Sequence, residues 1–128
     1  MENPKNLEEA IQFLIDIYTE EKSLEKIKSL SEEEYLSGLH HGPGTNLRNK
    51  WNLWWFKDHK YDTWPKEKPE IVEYFNSIGI THADDMSGII FTSTYRKIQG
   101  LDPHIDNQVK KYQNHWKKNG YPDGIPKH

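Results

Sequence analysis

The apolar residues of this chain recur at spacings of three and four along most of its length, the repeat of a helix buried on one face. The clearest stripe runs from Leu7 to Tyr18, and Asn6 with Glu9 has the form of a capping box at its start. The β-branched run 88–94 is the one place where a strand competes, but start and stop signals favour a helix there. The sequence predicts a mainly α fold: a compact single-domain bundle of about six or seven short helices with no significant sheet.

In the first half of the chain, residues that favour helix ends divide this pattern into short segments. Ser23 is available as the cap of a second helix, and Ser31 with Glu34 forms a capping pair for a third. The Gly-Pro-Gly run at 42–44 stops the pattern, because proline lacks an amide donor and glycine favours other backbone conformations. Thr45 is therefore predicted to cap a fourth helix that begins after this run.

The second half is predicted to hold a loop and three more helices. Residues 57–69 have no helical period and contain two prolines, so a loop is expected there. The longest helix can start with either Thr81 or His82 as its cap, since each has an aspartate three residues later. Pro103 is predicted to open the last helix, because proline is favourable at the first helical position.

The length of 128 residues fits one domain with one core. Only 34% of the residues are hydrophobic, but 12% are aromatic and five are tryptophan, and each ring buries a large area. We predict a single domain over residues 1–128. Its motif-bearing core spans about residues 7–100, followed by a C-terminal helix over about 103–119 and a tail over 120–128.

Charge and residue usage exclude several classes of function. The net charge of −3 leaves no basic face, so we expect no nucleic-acid partner. The chain has no cysteine, which excludes disulfide scaffolds, cysteine zinc sites and thiol catalysis. No signal peptide or membrane-length apolar run is recognisable, so we expect a cytoplasmic protein that does not span a membrane. Nothing indicates a cofactor or an oligomeric state.

A first polar cluster, HHGPGTNLRN, occupies residues 40–49. A glycine-rich turn before a helix presents backbone N–H groups that suit an anion, and Arg48 is expected near that helix start to complete the site. His40 and His41 are candidates for an acid, a base or a ligand. The segment lacks the Lys-Ser/Thr of a phosphate-binding loop. The plainer alternative is a tight turn with Arg48 bridging two elements.

A second polar cluster, THADDMSG, occupies residues 81–88. Two carboxylates after a histidine suit a hard metal ion, or an aspartate that orients a catalytic His82. Acidic residues are equally favoured in the first turn of a helix, where they oppose its dipole. Neighbouring residues in a helix point about 100° apart, so Asp84 and Asp85 are not expected to face one small ligand. Helix capping is therefore favoured, with His82, Asp84 and Asp85 as a weak alternative metal site.

The tryptophans between these clusters are expected to belong mostly to the core. This expectation is stronger for Trp51 and Trp54 than for Trp55 and Trp64, which lie nearer the loop. The alternative is an exposed aromatic group that stacks a base or a sugar, or that forms a protein-binding hot spot.

Together the two clusters resemble an uncharacterised family of small bacterial helical domains. The family pattern is His-Gly-x-Gly-x-x-x-Arg-Asn, then Leu-Trp, then His-Pro-Asp-Asp-Met-Ser. The first half matches at His41, Gly42, Gly44, Arg48, Asn49, Leu53 and Trp54. The second half matches at His82, Asp84, Asp85, Met86, Ser87 and Ile90. The similarity covers about residues 7–100. The chain departs from the pattern at Ala83, which favours His82 as the cap and Ala83 as the first helical residue.

The resemblance implies that the polar residues of both clusters meet in space. The candidate binding residues are His41, Gly42, Gly44, Arg48, Asn49, His82, Asp84, Asp85 and Ser87. Our leading interpretation is a non-enzymatic module, of immunity or regulatory type, that binds a protein partner or a small anionic ligand there. One alternative is a hydrolase-like enzyme with a histidine base and an aspartate that orients it or binds a divalent metal. Another is a purely structural network of hydrogen bonds and ion pairs.

Overall fold

The computed structural model describes residues 3–39 and 42–126, and helices are the only regular elements in those ranges. The seven helices are α1 (Leu7–Glu20), α2 (Leu24–Lys28), α3 (Glu32–Ser37), α4 (Gly42–Lys50), α5 (Glu70–Ser77), α6 (Ala83–Ile98) and α7 (Ile105–Lys118). The predicted mainly α fold is confirmed, and the β-branched run 88–94 lies inside α6. None of the described helices is both long and apolar enough to cross a membrane.

Helix α6 is the central element, and α1, α2, α3, α4 and α7 all pack against it. It is buried on most sides, with Met86, Ile89 and Ile90 fully enclosed. The predicted stripe of α1 faces this helix through Leu7, Ala10, Ile11 and Leu14. An all-round buried helix is what a small bundle needs when its other helices are amphipathic.

The predicted caps of α1 and α3 are confirmed. The Asn6 side chain accepts the Glu9 amide of α1, and Ser31 forms a reciprocal capping box with Glu34. The Ser31 amide donates to the Glu34 carboxylate, which lowers the pKa of that group. Ser23 occupies the N-cap position of α2 as predicted, but its hydroxyl donates back to the Tyr18 carbonyl and accepts no amide of α2.

Helix α4 begins at Gly42, four residues before the start that a Thr45 cap predicts, so the assignment of Thr45 as its cap is wrong. Proline is tolerated in a first turn because the amide it lacks has no partner there in any case. The helix stops at Lys50, and Asn52 then adopts a left-handed conformation with φ 53°. This turn shifts the register, so that Leu53 is buried while Trp54 is 36% exposed.

The last helix begins at Ile105 and not at Pro103, which corrects its predicted start. The Asp102 carboxylate accepts the His104 amide at 2.8 Å, and this local turn occupies the residues before the helix. His104 itself has φ 51°, which is outside the helical region. The helix ends at Lys118, with Asn119 as its C-cap, which agrees with the predicted end at about residue 119.

Candidate functional site

Arg48 on α4 is the centre of the polar cluster and is only 6% exposed. Its guanidinium donates from Nη1 to the Ser87 hydroxyl at 2.9 Å and from Nη2 to the Thr45 hydroxyl at 3.2 Å. Its Nε lies 3.3 Å from Oδ1 of Asp84. The planar fork of arginine suits several fixed acceptors at once. Arg48 therefore ties the end of α4 to the first turns of α6.

On α6, the groups that contact Arg48 belong to the first turns of the helix. The Ser87 hydroxyl accepts from Arg48 and donates to the Asp84 carbonyl at 3.0 Å. The Asp84 side chain is 41% exposed, so its carboxylate keeps much of its hydration. An acidic group in the first turn also opposes the helix dipole. Arg48 and Asp84 therefore pair across two helices at the edge of the core.

Because Gly44 has no side chain, α4 can pack closely against the backbone of Leu39. Its amide donates to the Leu39 carbonyl at 2.6 Å. A Cβ at this position would lie 2.5 Å from that carbonyl oxygen and 3.0 Å from Nη1 of Arg48. Real Cβ atoms do not come so close to a backbone oxygen. Glycine is thus required here by packing, and its amide is already paired.

His82 caps α6 and lies between two aromatic rings. Its Nδ1 accepts the Asp84 amide at 3.1 Å, which confirms it as the helix cap. Its ring packs edge-on against Trp54, with centroids 5.3 Å apart, and tilted against Trp116, with centroids 5.5 Å apart. Nδ1 is also 3.9 Å from a carboxylate oxygen of Asp84, a distance without a hydrogen bond. This nitrogen is committed to the cap.

Asp85 lies on a different side of α6 from Asp84. Its Oδ2 accepts the Trp116 indole N–H from α7 at 2.7 Å, and the residue is 7% exposed. Burial raises the pKa of this carboxyl above its ordinary range, against the opposing effect of the indole hydrogen bond. Asp84 thus contacts α4, and Asp85 contacts α7. This is expected, because successive residues of a helix point about 100° apart.

This shifted pKa predicts how Asp85 affects stability. An acid whose pKa is higher in the folded state contributes less to stability as the pH rises from the unfolded value to the folded one. Asp85→Asn keeps an oxygen acceptor for Trp116 and removes the charge. We expect the variant to be more stable than the wild type at neutral pH, with a difference that shrinks towards about pH 4. Urea unfolding of both proteins across this range measures it, and a difference that grows on acidification would contradict it.

Arg48, Asp84, Asp85 and Ser87 line one cleft of about 260 Å³. Tyr112 of α7 forms part of its wall, and burial together with Asp85 raises the pKa of this phenol to about 12. Among the described lining residues, carboxylates outnumber cations, and the one guanidinium is already bonded to neighbouring side chains. The cleft is therefore poorly suited to a small anion.

The remaining candidate residues lie elsewhere or have other roles. His41 falls outside the described residues. Asn49 is exposed on α4, and a Cβ at Gly42 would meet no other described residue within 4 Å. Within residues 3–39 and 42–126, no three His, Asp or Glu side chains are grouped so as to hold a metal ion. The weak alternative metal site at His82, Asp84 and Asp85 thus has no support from the geometry.

The loop between α4 and α5 carries a group of aromatic side chains that does not belong to the core. We call residues 54–65 the aromatic loop. Phe56 is 41% exposed and Tyr61 is 56% exposed, and both pack edge-on or tilted against Trp64. None of the tryptophans in this loop belongs to the buried core cluster. The expectation that Trp54 is a core residue is therefore wrong, while Trp51 is buried as predicted, with 1% exposure.

Hydrogen bonds hold the aromatic loop in place without regular secondary structure. The Pro65 carbonyl accepts the Trp55 indole N–H at 2.9 Å and is 2.7 Å from Nε2 of His59. Nδ1 of His59 accepts the Tyr61 amide at 3.2 Å. With Nδ1 accepting, Nε2 carries the proton and donates to Pro65. The loop thus presents its rings from a fixed backbone.

The motif-bearing part of the chain matches one family model over residues 3–98, which is most of its length. That family is described as a domain of unknown function, DUF6794. The chain belongs to it. Comparisons with curated proteins and with solved structures found no match.

The DUF6794 match ends before α7, although α7 completes the surroundings of the polar cluster. Trp116 binds Asp85, and the Tyr112 hydroxyl lies against Gly88, where a Cβ would collide with it. Ile105, Val109, Tyr112 and Trp116 recur at helical spacing in the sequence, but that spacing does not connect Tyr112 or Trp116 with the aspartates. The period of a helix shows which residues face inward, but not which partner they meet.

Proposed function

We propose that this DUF6794 domain is a non-enzymatic protein-binding module whose partner docks on the aromatic loop. The observation that supports this is an ordered group of large aromatic side chains that remains exposed outside the core. Trp and Tyr are the residues that most often dominate the binding energy of protein interfaces. Contiguous exposed apolar surface on a small domain marks interaction sites.

The surroundings of the loop favour a protein partner with apolar side chains. Charges of both signs alternate beside the rings, at Lys57, Asp58, Lys60 and Asp62. Such a mixed rim selects neither a strongly acidic nor a strongly basic partner, and it resembles the polar rim around an interface core. Trp54 continues the aromatic surface to His82, so the loop adjoins the polar cluster.

The polar cluster itself supports a structural role better than an anionic-ligand site or a hydrolase. Arg48 is bonded to neighbouring side chains, Asp85 to Trp116, and His82 to the helix start. A general base needs a ring nitrogen within reach of a substrate proton and a group that orients the ring. Nδ1 of His82 serves the helix cap instead, and no described carboxylate is hydrogen-bonded to this ring.

An affinity experiment tests the proposal. The wild-type chain and a Phe56→Ser/Tyr61→Ser variant are immobilised and exposed to an extract of the organism that encodes them. We expect at least one protein to be retained by the wild type and lost by the double variant, because the substitutions remove the apolar contact area. Quantitative mass spectrometry of the eluates measures the difference.

Leu101→Ser is the matched control, since Leu101 is 58% exposed but lies far along the chain from the loop. The control should retain the same protein as the wild type. Retention by all three chains, loss from the control, or no specific retention by the wild type would contradict the proposal. The cytoplasmic location, the bacterial origin and the absence of a nucleic-acid partner stay predictions.

A further inference from the structure

Helix α7 packs against α6 but adds little to the buried core. Of its fourteen residues, Gln108 and Val109 are the two that are buried, whereas α1, which has the same length, buries four apolar residues. Tyr112 and Trp116 of α7 are half-buried. Apolar burial supplies most of the stability of a helix in a bundle. Helix α7 is therefore held in place by less free energy than α1.

The contact between α7 and α6 is a single row of side chains. Three residues of α7 at four-residue spacing each meet one residue of α6: Gln108 meets Ser93, Tyr112 meets Gly88, and Trp116 meets Asp85. Residues four apart lie on the same face of a helix. The partners follow in the opposite order along α6, so the two helices run antiparallel. Because all three contacts lie on one face, breaking them separates the whole of α7 from α6.

The segment that follows α7 folds back and is attached together with it. Gly124 is buried against α7, where a Cβ would lie 2.9 Å from the Cβ of Gln113. The Thr81 hydroxyl, just before α6, donates to the Pro126 carbonyl at 3.3 Å. Residues 119–126 therefore rest partly on α7 itself, and they lose their support when α7 moves. We call α7 and residues 119–126 together the strap.

The link between α6 and the strap, residues 99–104, has the geometry of a hinge. Gly100 has φ 76° and His104 has φ 51°, so the chain turns sharply at both ends of the link. Leu101 between them is 58% exposed. Hinges are a few residues at the ends of regular elements that absorb a change in backbone angles. Rotation within this link can move α7 without any change inside α6.

We propose that the strap opens as one unit while helices α1 to α6 stay folded. Segments that lose few apolar contacts on opening do so at a lower free energy than global unfolding. Opening uncovers the face of α6 that carries Asp85 and Gly88, and it removes Tyr112 from the wall of the cleft beside Arg48. The strap thereby controls access to the second polar cluster. This device is independent of partner docking on the aromatic loop.

Native-state hydrogen exchange of the full chain at low urea concentrations, followed by mass spectrometry, tests the proposal. The amides of residues 110–118 on α7 are compared with those of residues 89–96 on α6. We expect protection factors on α7 to be lower by about tenfold or more. They should also depend little on urea, because strap opening exposes little surface. Equal protection of both helices with the same urea dependence would overturn the proposal.

Two variants separate strap opening from global unfolding. Ile11 is buried in α1 against α6, and its contacts are the same whether the strap is open or closed. Ile11→Val should therefore accelerate exchange in α6 about fivefold and leave exchange in α7 unchanged. Trp116→Phe removes the hydrogen bond to Asp85 and should accelerate exchange in α7 about tenfold.

The proposal fails on either of two results from these variants. Equal acceleration of both helices by Ile11→Val would show that α7 opens only when the whole domain unfolds. Unchanged exchange of α7 in Trp116→Phe would show that the row of contacts with α6 does not hold the strap closed.

Discussion

Arg48→Met should lower the free energy of unfolding by about 2–3 kcal/mol, the cost of removing charged hydrogen bonds from a buried site. Methionine retains the apolar stem but leaves the Ser87 and Thr45 hydroxyls without the guanidinium. The cost stays below that of a fully buried ion pair because Asp84 is 41% exposed and remains hydrated when its partner is lost. Urea unfolding followed by tryptophan fluorescence measures it.

Two further variants make the Arg48 result specific. Arg48→Lys should recover less than half of the loss, because an ammonium group cannot reproduce the planar fork that meets Ser87 and Asp84 together. Arg96→Met removes a comparable contact at the surface, where Arg96 pairs with Glu32 and both side chains are partly exposed. It should cost less than about 1 kcal/mol. Equal losses for Arg48→Met and Arg96→Met would contradict a special role for Arg48.

Gly44→Ala should lower the free energy of unfolding by about 2 kcal/mol, a typical cost of forcing an extra carbon into a packed site. The added Cβ would lie 2.5 Å from the Leu39 carbonyl oxygen, so α4 would have to move and strain the Arg48 contact. The direction of the change in stability is informative, because alanine in place of a helical glycine otherwise stabilises a protein by up to about 1 kcal/mol.

Gly42→Ala provides the matched control within the same motif. A Cβ at Gly42 would meet no atom of the other described residues within 4 Å, so we expect stability equal to the wild type or slightly higher. The difference between the two alanine variants in urea unfolding isolates the steric effect from helix propensity. A stabilised Gly44→Ala would show that the close approach to Leu39 is not required.

The helical pattern predicted the architecture well, because each amphipathic helix carries its own period and its own caps. The sequence predicts too late a start for α4, because Gly-Pro-Gly indicates a break in general, whereas the first turn of a helix accepts it. Trp54 follows Trp51 and Leu47 at helical spacing, which predicts a core position only if α4 continues beyond Lys50. The left-handed Asn52 ends that pattern, and no rule of spacing reveals it.

The contacts within the candidate site could be predicted only in part, because some of them depend on how the helices pack. Arg48, Asp84 and Ser87 do meet, as the two motifs suggested. The pairing of Asp85 with Trp116 depends on how α7 crosses α6. The packing angle of two helices cannot be derived from the sequence of either helix alone. The predicted loop, residues 57–69, includes only part of the aromatic loop. The order of the aromatic loop depends on two side chains that converge on one carbonyl, that of Pro65.

The polar cluster around Arg48 is assigned a structural role, and the aromatic loop is assigned a role in recognition. Comparing the unfolding free energies of one variant from each region tests this most directly. Arg48→Met is compared with Phe56→Ser/Tyr61→Ser in urea at neutral pH. We predict a loss of about 2–3 kcal/mol for the first and of less than about 1 kcal/mol for the second, as for exposed positions outside a core. A stable Arg48→Met beside a strongly destabilised loop variant would contradict the account, since the loop would then belong to the core and the cluster would be dispensable for folding.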